Sequence, residues 1–101
     1  MATTTKTMAR VAATTSTDTT LYTVPASTTA VVTNIVVTNT AATGGTFTLA
    51  LDSVALFTTV SIAANTTIAI DLKQNLTTGK IITGGASATT INFHISGVEI
   101  V

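Results

Sequence analysis

One histidine, His94, and four carboxylates, Asp18, Asp52, Asp71 and Glu99, are the residues of this chain best suited to move protons or hold a metal ion. Cysteine is absent, which removes thiolate chemistry and disulfides together. A Ser–His–Asp relay needs a serine on a strained turn and an acid behind the imidazole. No Gly-x-Ser-x-Gly occurs, and alternation around His94 turns it outward between Asn92 and Ser96. The acids stand one per segment, without the Asp-x-Asp spacing of a calcium loop. Nothing singles out two of them as a glycosidase pair. Gly44-Gly45 and Gly84-Gly85 lack the following helix and Lys-Ser/Thr of a phosphate cradle. The expectation is a non-enzymatic chain with no catalytic residue, no metal and no cofactor.

Charge points the same way. Charged residues make up 8% of the 101 positions and cancel to a net charge of zero; an ordinary soluble domain carries roughly 25%. Threonine, about a quarter of the chain by count, replaces them. It is β-branched and hydrogen-bonding, so it suits the outward face of a strand. Surfaces that spend their life against copies or partners avoid charge, because desolvating it is costly. Nucleic acid and anionic membranes call for basic patches, and none is present. The opening Met1-Ala2-Thr3-Thr4-Thr5-Lys6 predicts no secretory leader, and no stretch stays apolar for the length of a bilayer.

The elements that must position these residues are strands. The first twenty residues read as an N-terminal arm, Thr-rich over Ala2–Thr7, with a weak first strand at residues 8–13. Residues 21–101 read as the folded domain. Leu21–Val24 is a strand stopped by Pro25, which cannot donate to a ladder. Residues 28–39 form the longest, with Val31, Ile35 and Val37 on one face and Val32 and Val36 on the other. Phe47, Leu49 and Leu51 alternate cleanly, and Asp52-Ser53 turns the chain into Val54–Phe57. Val60–Ile62 is short, then Ile68, Ile70 and Leu72 share a face. Lys73-Gln74-Asn75 and Thr77-Thr78-Gly79 flank Leu76 as an excursion. Residues 80–83 are brief, Gly84–Ser87 a loop, and Ile91, Phe93 and Ile95 line the inner face of the last strand. After Gly97 the apolar parity flips to Val98 and Ile100, which places a β-bulge at Gly97. The fold class is therefore all-β: a single antiparallel β-sandwich of about eight strands, jelly-roll or immunoglobulin-like, with an N-terminal arm.

The run Leu21-Tyr22-Thr23-Val24-Pro25-Ala26, followed by Thr29–Ile35 and Asn39-Thr40, resembles small virion proteins of tailed bacteriophages. Ile70-Asp71-Leu72, Leu76-Thr77-Thr78-Gly79 and Ile95-Ser96-Gly97-Val98-Glu99-Ile100 extend the likeness over most of the chain from Leu21 onward. Ser27, where glycine is common, and Ser53 depart from the pattern. The resemblance implies a structural virion protein, foremost a capsid cement or decoration protein that binds the outer capsid lattice and stabilises it. Its partners would be the major capsid protein and copies of itself as a homotrimer. Its place would be the virion, assembled in the host bacterial cytoplasm. The alternative is a tail or fibre module that binds a host receptor or glycan. On the cement reading, Thr3, Thr4, Thr5, Lys6 and Arg10 make the partner contact.

Overall fold

The computed structural model describes residues 2–101, and these form eight strands without a helix. They are β1 (Thr3–Ala12), β2 (Thr20–Thr23), β3 (Thr29–Asn39), β4 (Gly45–Leu51), β5 (Val54–Ile62), β6 (Thr66–Leu76), β7 (Ile81–Ala86) and β8 (Ile91–Ile100). The strands pair into two antiparallel sheets, ordered β1-β8-β3-β6 and β2-β7-β4-β5. β1 pairs with β8, β2 with β7, β3 with β6 and β4 with β5. These pairs nest as one long hairpin whose tip is the Asp52-Ser53 turn. Rolling that hairpin up adds the β3–β8 and β4–β7 ladders. The result is a jelly roll rather than an immunoglobulin-like order.

The expected stripes meet between the sheets. Phe47, Leu49, Ile82, Ile91, Phe93 and Ile95 are all but inaccessible, as are Ile35 and Val37. Phe47 packs edge-on to Phe93 at 6.3 Å between ring centroids and tilted against Phe57 at 5.9 Å. Such pairs add about 0.5–1.5 kcal/mol each beyond their buried area.

Two clusters of polar residues tie off the ends of the sandwich. At one end Asn39, buried, donates to the carbonyls of Thr43 (2.9 Å) and Ala63 (3.3 Å). Its Oδ1 accepts from the Ala41 amide and the Thr90 hydroxyl, so one side chain binds three loops. At the other end the Thr28 amide donates to Thr78 Oγ1, whose hydroxyl donates back to the Thr28 carbonyl. The chain termini lie at this second end, where Ala2 and Val101 exchange backbone hydrogen bonds of 3.1 and 2.9 Å.

Several expectations need correction, most of them for one reason. The N-terminal arm is no arm: residues 3–12 form a continuous edge strand paired along β8, so the sandwich does not begin at residue 21. Pairing satisfies backbone groups that a free Thr-rich segment would leave to water. The bulge expected on β8 at Gly97 is on its neighbours. β8 runs straight, while β1 carries an extra residue at Met8 and β3 one at Thr33. β6 has two residues, Leu72 and Lys73, opposite Thr33. A Cβ at Gly97 would lie 2.0 Å from the Val31 carbonyl oxygen and 2.8 Å from the Met8 methyl. The neighbouring strands crowd in where glycine leaves room.

The Thr33 bulge shifts the phase of β3, so Val32 joins Ile35 and Val37 in the core and Val31 turns outward with Val36. Lys73-Gln74-Asn75 is not an excursion but the continuation of β6 beyond its bulge, ending in buried Leu76. Residues 54–57 and 60–62 are one strand, β5, interrupted by bulges at Leu56 and at Thr58–Thr59, with φ +49° at Thr59. Gly84-Gly85 is no loop either. Both residues lie in β7, where Cβ atoms would come within 2.4 Å of Leu49 Cδ2 and 2.2 Å of the Ser16 carbonyl oxygen.

Candidate functional site

The Met8 bulge decides which of the contact residues share a face. Thr3, Thr5 and Arg10 pair with Ile100, Val98 and His94, all on the outer face of the β1-β8-β3-β6 sheet. Thr4 and Lys6 pair with Glu99 and Gly97 and alternate to the other side of β1. Without the extra residue Arg10 would point away from Thr5. All five are exposed.

Inward from this edge the outer face presents an apolar row next to a polar one. Val98 sits between Thr5 and Val31, and Ser96 between Thr7 and Asn34. Asn34 donates to Asp71 Oδ1 at 3.2 Å, and Thr38 and Thr67 share a hydroxyl hydrogen bond of 2.8 Å. Two shallow depressions interrupt the face. One, about 360 Å³, lies over the bulge and is lined by Thr5, Lys6, Thr33 and Val98 among others. The other, about 200 Å³, is lined by Arg10, Val11, Ala12, Asn92 and His94. A third, about 440 Å³, lies on the opposite sheet among Thr48, Thr58, Thr83 and Asp18.

His94 points outward beside Asn92 and Ser96, as its position in the alternation predicts. Its cross-strand neighbours are Arg10 and Val36, and neither can orient an imidazole as a carboxylate would. Asp52 lies at the tip of the β4–β5 turn and pairs with Lys80 at 3.4 Å across an exposed surface. Among the described residues, no three His, Asp or Glu side chains come close enough to share a metal ion.

Sequence reasoning missed the role of Glu99. Its carboxylate accepts the Tyr22 hydroxyl and so links the two sheets at the end that holds the termini. Burial, then the hydrogen bond and negative charge of Glu99, push the Tyr22 phenol well above its ordinary range. Only the inward parity of position 99 on β8 could have signalled this, and the expected bulge at Gly97 obscured it. The Val24 amide and carbonyl bond to Lys80 and Gly79 beside that contact. Hydrogen bonds from the Tyr22–Val24 segment thus reach both Glu99 and the Gly79-Lys80 turn, residues far apart in sequence.

The aromatic residues look inward. Tyr22, Phe47 and Phe93 are buried and Phe57 is half-buried against the core. The outer face of the β1-β8-β3-β6 sheet offers hydrogen-bonding hydroxyls, amides and small apolar side chains, with Arg10 and Asp71 among its charged groups. In comparison with known proteins, no family model matches this chain and no curated protein matches it.

Proposed function

We propose that the protein is a structural component of a bacteriophage particle, a cement or decoration protein that docks on the outer capsid lattice and stabilises it. The observation that carries this reading is the outer face of the β1-β8-β3-β6 sheet. Thr3, Thr5 and Arg10 share it with Val98, Val31 and Asn34 in a wide, nearly uncharged surface held rigid by four paired strands. The resemblance of the sequence to small virion proteins of tailed bacteriophages supports it too. A jelly roll is also a fold that capsid-associated domains use, though this is a likeness of fold alone. Cement adds binding energy across the joints between capsid subunits, and many weak, repeated contacts suffice when the lattice supplies many sites.

The test is stoichiometry. Particles purified from a culture that encodes the chain are quantified by mass spectrometry against their major capsid protein. A copy for every few capsid subunits supports cement. A handful per particle would place the chain in the tail or fibre instead, and absence from particles would end the virion reading altogether.

A further inference from the structure

Of the three depressions, the one at the edge between β1 and β8 joins the single histidine of the chain to one of its four lysines and arginines. The strand register explains how. Arg10 lies directly across from His94, and Ala12 directly across from Asn92, on the outer face of the sheet. The small side chain of Ala12 leaves room beside the other three, and the hollow of about 200 Å³ is the result. The chain then leaves the sheet, its Ala13 amide donating to the Ile91 carbonyl at 2.7 Å. His94 and Asn92 are half-buried, and Arg10 stands exposed at the rim. Among the described residues, none of these three side chains has a hydrogen-bond partner within the chain, and the one ion pair lies elsewhere, between Lys80 and Asp52.

The hollow is electrostatically unbalanced. From the strands packed beside it, His94 is faced by Arg10 on β1 and by Val36 on β3. Asp71, the carboxylate of this sheet face, is bonded to Asn34 one rung along and two strands across, roughly 10 Å or more away by the spacing of strands. Like charges set opposite each other weaken a ladder. A chain with only four lysines and arginines nevertheless places one across from its histidine and supplies no acid. The donors define what would supply the balance. A guanidinium presents a planar fork of N–H groups that matches a carboxylate. The Asn92 amide can donate alongside it, and an imidazole donates in either state and gains charge as the pH falls below neutrality. One fixed positive charge balances one carboxylate, whereas a phosphate, with nearly two negative charges, stays half unbalanced. Because the hollow is shallow and open, it suits a side chain presented by another protein surface.

We propose that Arg10, His94 and Asn92 form a cleft that receives an acidic side chain, Asp or Glu, of the protein on which this face docks. That the partner is a capsid protein rests on the reading above; the cleft itself does not. The contact tightens as the medium turns acidic, because the imidazole then joins the guanidinium in facing the carboxylate. The probe is the N-acetyl α-amide of glutamate, whose only charge is its side-chain carboxylate. It is titrated into isotopically labelled protein and followed by heteronuclear NMR at pH 6 and at pH 8. Shifts at the Arg10 and Asn92 side chains and the His94 ring should saturate in the millimolar range, with affinity about threefold or more higher at pH 6. The corresponding glutamine compound, alike in shape and uncharged, should move none of them. Arg10→Gln should abolish saturation, and His94→Gln should keep binding but remove its dependence on pH; the same spectra report that both variants are folded. Shifts that never saturate, an equal response to the glutamine compound, or binding that survives Arg10→Gln overturns the proposal, as does inorganic phosphate binding where the glutamate compound does not. Equal affinity at the two pH values removes His94 from the cleft. A protein abundant on particles whose cleft ignores the glutamate compound would sink the cleft alone; a responsive cleft in a protein absent from particles would sink the virion reading alone.

Discussion

Tyr22 shows how much a single polar contact can carry in a chain with so few charges. Its hydroxyl donates to Glu99 from a buried position, which holds the phenol protonated well past its ordinary pKa of 10.0. The unfolded chain gives up that proton near pH 10 and the folded chain does not. Stability from this group is therefore complete below about pH 10 and is lost as the pH rises above it. Tyr22→Phe should cost about 1–2 kcal/mol at neutral pH and should flatten the alkaline fall in urea midpoint between pH 8 and 11. Parallel alkaline curves for the two proteins would refute this linkage. Asn39 binds three loops from a buried site, so Asn39→Ala should cost about 2–3 kcal/mol in the same assay. Gly97→Ala asks for a Cβ 2.0 Å from the Val31 carbonyl oxygen. Either the straight β8 or the bulged β3 must move, at a cost of about 3 kcal/mol. A near-neutral melting shift would show that the crowding at Gly97 relaxes freely.

Among the strands, legibility followed the bulges. Phe47/Leu49/Leu51 and Ile91/Phe93/Ile95 were readable because no extra residue interrupts those runs. Val31 and Val32 were exchanged because the bulge between them and Ile35 is imposed by neighbours on β8, which no local alternation records. Gly84-Gly85 looked like a loop for a similar reason: the Ser16 carbonyl that demands a missing side chain lies almost seventy positions away in sequence. The same logic applies to the contact residues. Sequence placed Thr3, Thr5 and Arg10 in one group, but only the Met8 bulge puts them on one face, and it leaves Thr4 and Lys6 off it. Local turn chemistry, by contrast, was half legible. Asp52-Ser53 makes the expected tight turn with positive φ at both residues, 53° and 61°, although serine is a poor choice there. Ser53→Gly should raise stability by about 0.5–1 kcal/mol, read from a denaturant midpoint. A loss would mean that the serine side chain holds the turn.

For the molecule as a whole, the paired β1 changes how docking should be tested. Deleting residues 2–7 would strip β8 of its edge partner over half its length, so a truncated protein that failed to dock would not separate a lost contact from a lost ladder. Point changes on the exposed face avoid this, since such substitutions typically shift stability by less than about 0.5 kcal/mol. Arg10→Glu and Thr5→Arg should each weaken co-sedimentation with particles at least tenfold while melting like the wild type; undiminished binding by both would remove that face from the contact. The adjoining chain ends have a mechanical consequence as well. Ala2 and Val101 lie side by side on antiparallel neighbours, so tension applied through the two ends peels β1 from β8 one rung at a time. That is the weak direction of a ladder, in which each hydrogen bond meets the force alone. Whatever this domain is fastened to, it resists strain well only when gripped across its broad faces, where several strands are sheared together.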